Sequence, residues 1–94
     1  MQVTKTDSGI ISLSGKMTVV ESRQLKADLL ALLEGEGDIL LDLSGVEDMD
    51  SAGFQVLALL SRQARASGGR SVSITEHSQA TQEIIRLFRA DELG

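Results

Sequence analysis

The chain has 94 residues, of which 41% are hydrophobic and 24% charged, and its formal net charge is −5. A chain of this length holds one core rather than two, and the balance of apolar to charged residues excludes general disorder. With no cysteine and only 2% aromatic residues, disulfides, thiolate metal sites and stacking platforms for bases are all excluded.

An acidic chain gains nothing from counterion release, so nucleic acid is not an expected partner, whereas a basic protein surface is. No apolar run approaches the length of a membrane span, and the opening stretch MQVTKTDSGII lacks a signal-peptide core. The expectation is a single cytoplasmic domain over residues 1–94 with no membrane insertion and an aliphatic core, since Phe54 and Phe88 are the only aromatics.

Residues 3–6 and 10–13 flank Asp7-Ser8-Gly9, a short turn between apolar segments that predicts a β-hairpin. Gly15 reads as the end of the second strand. Thr18-x-x-Glu21 then has the spacing of a capping box, and Leu25, Leu29, Leu32 and Leu33 fall on one helical stripe, which predicts a helix over about 19–34. Gly35 and Gly37 stop it. The run 39–43 reads as a central strand covered on both faces, closed by Ser44-Gly45. A second helix is expected from Asp50 or Ser51, with Leu57, Leu60 and Ala64 inward, Phe54 and Ala58 beside them, and Gly68-Gly69 as its stop. Val72 and Ile74 alternate with serines as in a half-buried strand. Ser78 is placed to cap a third helix carrying Ala80, Ile84, Ile85, Leu87 and Phe88. The order ββαβαβα predicts an α/β fold, a small mixed β-sheet packed against α-helices, with right-handed crossovers.

The acidic stretch holding Asp42, Glu47, Asp48 and Asp50 lacks the spacing of a calcium loop and reads as a solvated loop, and His77 is the only histidine, so no metal or cofactor is expected. Ser51, His77 and Asp50 have the composition of a hydrolytic triad, but no Gly-x-Ser-x-Gly elbow surrounds the serine, and the chain is not expected to be an enzyme. Arg62 and Arg65 read as a solvated face of the second helix, with a weak rim contact to a partner as the alternative.

The segment Leu41-Asp42-Leu43-Ser44-Gly45-Val46, followed by Met49-Asp50-Ser51-Ala52-Gly53, resembles the signature of the STAS family, the anti-sigma-factor-antagonist fold. In that family a buried strand leads through a short acidic loop into an Asp-Ser-x-Gly or Asp-Thr-x-Gly turn at the start of a helix. Gly15-Lys16-Met17-Thr18, Gly68-Gly69 and Ser78 extend the resemblance over nearly the whole chain. Longer antagonists continue beyond the third helix, whereas this chain ends at Leu93-Gly94, which reads as a minimal member.

The resemblance implies a bacterial signal-transduction protein in which Ser51 is phosphorylated by a partner serine kinase that is also an anti-sigma factor. The unmodified domain binds that partner, and phosphorylation breaks the complex. Residues Val46, Glu47, Asp48, Met49, Asp50, Ser51, Ala52, Gly53 and Phe54 are the implied docking surface. Relatives that serve transport ATPases or chemosensory complexes imply the other reading, a constitutive subunit without phosphorylation. Each residue also has a plain structural role open to it: Ser51 or Asp50 as a helix cap, Gly53 as a helix-start glycine or a point of close backbone approach, Phe54 as core or partner anchor.

Overall fold

The computed structural model describes residues 2–88 and, at Phe88, the backbone alone. Strands β1 (Gln2–Lys5) and β2 (Ile10–Met17) form the expected antiparallel hairpin, closed by the Thr6 N–H donating to the Ile10 carbonyl at 2.9 Å. Helix α1 (Ser22–Leu30) runs into a 3₁₀ turn (Ala31–Glu34), and strand β3 (Ile39–Met49), helix α2 (Ser51–Ala66), strand β4 (Val72–Glu76) and helix α3 (Gln79–Phe88) follow. The strands lie in the order β1-β2-β3-β4, with β2, β3 and β4 parallel, so the predicted mixed sheet and element order are observed.

Both parallel connections step across the sheet in the same direction. Right-handed crossovers therefore place α1 and α2 on the same face. Onto that face point Ile11, Leu13, Ile39, Leu41 and Leu43, which join Leu25, Leu29, Leu57, Leu60 and Ala64 in one buried cluster, with Ile84 and Ile85 of α3 packed against it. Alternate strand residues Leu40 and Asp42 are only half-buried, so β3 is not covered on both faces as its apolar run suggests. The Phe88 side chain, expected on the apolar face of α3, lies outside the described residues.

Helix α1 begins later than predicted, and the capping box at Thr18 does not form. The Thr18 carbonyl instead accepts the Glu21 N–H in a turn at 3.0 Å, and the Ser22 hydroxyl donates to the Val19 carbonyl at 3.0 Å, so the helical ladder starts at Glu21. At its far end the chain tightens into the 3₁₀ turn, whose carbonyls are satisfied by a side chain not foreseen from sequence. Arg70 donates to Gly37 at 2.7 Å and to Leu33 at 2.9 Å, bridging the start of β4 to the end of the first helical segment. At α3 the expected Ser78 cap is present: its hydroxyl accepts the Thr81 N–H at 3.2 Å, and the hydroxyl of fully buried Thr81 accepts the Ser78 N–H at 3.0 Å.

Two other boundaries move. Strand β2 does not end at Gly15 but reaches Met17, and β3 does not end at Ser44-Gly45 but continues to Met49. The register shows why. Ser12 pairs with Asp42 and Ser14 with Gly45, while Gly15 pairs with Val46 and Lys16 with Asp48, so β3 carries an extra residue at each step. These are bulges, which kink a strand without ending it. The Asp42 carboxylate supports the first by accepting the Ser44 N–H at 2.9 Å and the Ser44 hydroxyl at 2.6 Å. Gly45 is required there, because a Cβ would stand 2.9 Å from the Ser14 Cβ and 3.0 Å from the Leu13 carbonyl oxygen.

Candidate functional site

The continuation of β3 to Met49 changes the character of the acidic segment. Residues 46–49 are strand, paired with Gly15, Lys16 and Met17, rather than a free loop. Val46 and Met49 point into the core and are 2% and 5% exposed, while Glu47 and Asp48 are exposed. Gly53 is buried and Phe54 is half-buried against the core cluster. Of the nine expected docking residues, only Glu47, Asp48 and Ser51 are exposed, with Asp50, Ala52 and Phe54 intermediate. The sequence placed these residues in one stretch, but strand and helix periodicity divide them between core and surface.

Asp50, rather than Ser51, is the N-cap of α2. One carboxylate oxygen accepts the Gly53 N–H at 3.1 Å and the other accepts the Val19 N–H at 2.9 Å. Asp50 thus caps one helix and ties the segment entering α1 to it. Its own N–H donates to the Met17 carbonyl at 3.2 Å, which fixes the same junction from the backbone side. Desolvation pushes the Asp50 carboxyl up, but the N–H groups of Val19, Gly53, Ala52 and Asp50 itself outweigh it and hold the group below its ordinary value. Both oxygens accept backbone donors, and no hydrogen bond among the described residues joins the Asp50 carboxylate to the Ser51 hydroxyl.

That arrangement makes a pH prediction. The folded-state pKa is depressed, so the stabilisation by Asp50 is complete above the unfolded value of about 3.9 and is lost as pH falls through the folded value. An asparagine offers one oxygen for two N–H donors, so Asp50→Asn costs about 1 kcal/mol at neutral pH. The stability gap between parent and variant is expected to hold constant down to about pH 5 and to narrow below about pH 4. Urea denaturation at stepped pH checks this, and a gap that stays flat through that range contradicts it.

Gly53 resolves in favour of close approach. A Cβ on Gly53 would stand 2.9 Å from the Met17 Cβ and 3.0 Å from the Met17 carbonyl carbon, and closer still to that carbonyl's oxygen. The first turn of α2 therefore lies directly on the end of β2.

Ser51 occupies the first helical position, exposed, and its hydroxyl makes no hydrogen bond to another described residue. The free N–H groups and positive end of α2 lie beside it. Sequence reasoning missed Val19 and Val20. They follow Thr18 on the strand-to-helix connection, Val19 is bonded to Asp50, and they are 66% and 88% exposed. An adjacent β-branched pair read as the first turn of a helix. Only its position between strand and cap, outside the Leu25–Leu29 stripe, signals exposure.

His77 is exposed and its Nδ1 lies 3.4 Å from the Thr81 hydroxyl; no hydrogen bond among the described residues joins it to Ser51 or Asp50. No group of three or more His, Cys, Asp or Glu among the described residues could hold a metal ion. No helix among them is long and apolar enough to cross a membrane. The family model described as "Mlab, STAS domain" matches residues 1–94.

Proposed function

We propose, from the premise that the chain belongs to the STAS family, that it is a regulatory protein-binding domain switched by phosphorylation of Ser51. Domains of this family generally mediate protein–protein contacts and are generally non-enzymatic. The observation that carries the reading is the division of labour at the α2 N-terminus. Asp50 takes the cap, which leaves the Ser51 hydroxyl exposed and unengaged, a few residues along the chain from exposed Glu47 and Asp48. A kinase can reach that hydroxyl without breaking a structural bond.

A phosphate adds about −1.5 to −2 charges. The helix N-terminus tolerates the anion, so the fold persists, but charge accumulates on a stretch of chain that already exposes Glu47 and Asp48. A partner that accepts the unmodified surface is repelled from the phosphorylated one. The partner that fits is a serine kinase that is also the anti-sigma factor. In the other reading, the same surface is a constitutive contact in a transport ATPase or chemosensory assembly.

Three forms of the full chain distinguish these, titrated against a partner isolated from native cell extract, with thermal melts in parallel. Because Ser51 is not the cap, Ser51→Ala is expected to keep stability within about 0.5 kcal/mol and to keep binding. Ser51→Asp is expected to remain folded and to bind about tenfold more weakly or worse. Equal affinities of the serine and aspartate forms favour the constitutive subunit.

A further inference from the structure

The same end of the molecule carries a feature that neither the switch nor the acidic rim uses. Arg23 and Lys26 project from α1, one turn apart, along a groove of about 380 Å³ between α1 and α2. The opposite wall is uncharged: Ala52, Gln55, Val56 and Leu59 of α2. Neither cation has a carboxylate partner among the described residues, although the chain as a whole carries a net charge of −5. Exposed Val19 and Val20 stand just before α1, tied to the α2 N-terminus through Asp50.

We propose that this groove seats an acidic amphipathic helix of the partner protein. Its apolar stripe packs on Ala52, Val56 and Leu59, and the carboxylates on one flank meet Arg23 and Lys26. A helix suits the groove because both walls are helices whose backbone groups are already paired. An extended segment would find no strand edge there and would leave its own N–H and C=O groups unmatched, whereas a helix satisfies its own. The nine residues of α1 span roughly 13.5 Å, the length of two to three turns of the incoming helix.

The proposal rests on docking at the Ser51 end and adds to it the chemistry of the partner. Ala52 lines the groove and Ser51 precedes it, so a phosphate on Ser51 stands at the groove's end and opposes the same carboxylates that Arg23 and Lys26 attract.

The test is a selection from a randomised display library of helical peptides of about 16 residues, long enough to cover the groove. It is run against the full chain and against the R23E/K26E variant, and selected peptides are mapped by backbone amide NMR shifts. The expected peptides carry Asp or Glu beside an apolar stripe and shift amides in 22–26 and 52–59. They bind R23E/K26E at least about tenfold more weakly, and that variant selects lysine-flanked helices instead, which shows that it is folded. The absence of binders, a selection without acidic bias, equal binding to both proteins, shifts confined to other surfaces, or self-association of the chain through Arg23 and Lys26 each overturns the proposal. The Ser51 switch stands or falls independently, on whether Ser51→Asp weakens binding of the native partner, whatever the peptides do.

Discussion

Replacing Gly53 with alanine is expected to destabilise the protein by about 3 kcal/mol, the upper end of the cost of overpacking a tight contact. In an ordinary helix the change has the opposite sign, since alanine is favoured over glycine by about 0.8–1.0 kcal/mol. Here the new methyl group meets the backbone of Met17, which cannot rotate aside as a flexible side chain would. The Met17 carbonyl also holds the Asp50 N–H at 3.2 Å, and Met17 is in register with Met49. The start of α2 must therefore lift away from β2, loosening the Asp50 bonds to Val19 and Gly53 and moving Ser51 with them. Urea denaturation measures the loss, and amide shifts at 17–20 and 50–54 locate it. A variant as stable as the parent contradicts the close packing on which the site geometry depends.

Leu41→Ala is expected to cost about 2–5 kcal/mol, the range for a fully buried leucine. Leu41 has no exposed surface and lies at the middle of the sheet, in register with Ile11 on one side and Ile74 on the other. Its carbonyl also accepts the Thr75 hydroxyl at 3.2 Å, where β4 carries an extra residue opposite β3. The side chain packs beneath the helices, and the surrounding strands cannot collapse into the space it leaves without shifting this register. An unchanged denaturant midpoint would place Leu41 outside the core.

These two positions mark what the sequence revealed and what it hid. The 3.6-residue spacing of Leu25 and Leu29 and the apolar run 39–43 were enough to identify the core, because burial imposes a periodicity that composition preserves. Glycine and serine were less informative. Ser44-Gly45 carries the same signal whether a strand ends or bulges, and only the strand pairing of Gly45 with Ser14 decides between them. The Asp-Ser-x-Gly turn falls at the junction of a strand and a helix, as the pattern predicts, yet the sequence did not distinguish whether Asp50 or Ser51 is the cap. Both residues carry an oxygen within reach of the Gly53 N–H, which Asp50 takes, and the second bond that holds Asp50, from the Val19 N–H 31 residues away, is recorded by no local pattern. Arg70 was unreadable for the same reason: its partners at Gly37 and Leu33 are distant in sequence. The groove between α1 and α2 likewise arises only when the two helices pack side by side.

In the proposed switch, charge at Ser51 governs docking while the fold stays intact. The most direct measurement is to isolate the full chain from its own cells, map phosphate by intact mass and peptide sequencing, and titrate the separated phosphorylated and unmodified fractions against the same partner. The predicted result is a fraction phosphorylated at Ser51 that melts like the unmodified chain but has lost partner binding by at least about tenfold. A chain that carries no phosphate at Ser51 in its own cells, or phosphorylated and unmodified fractions that bind with equal affinity, would contradict it.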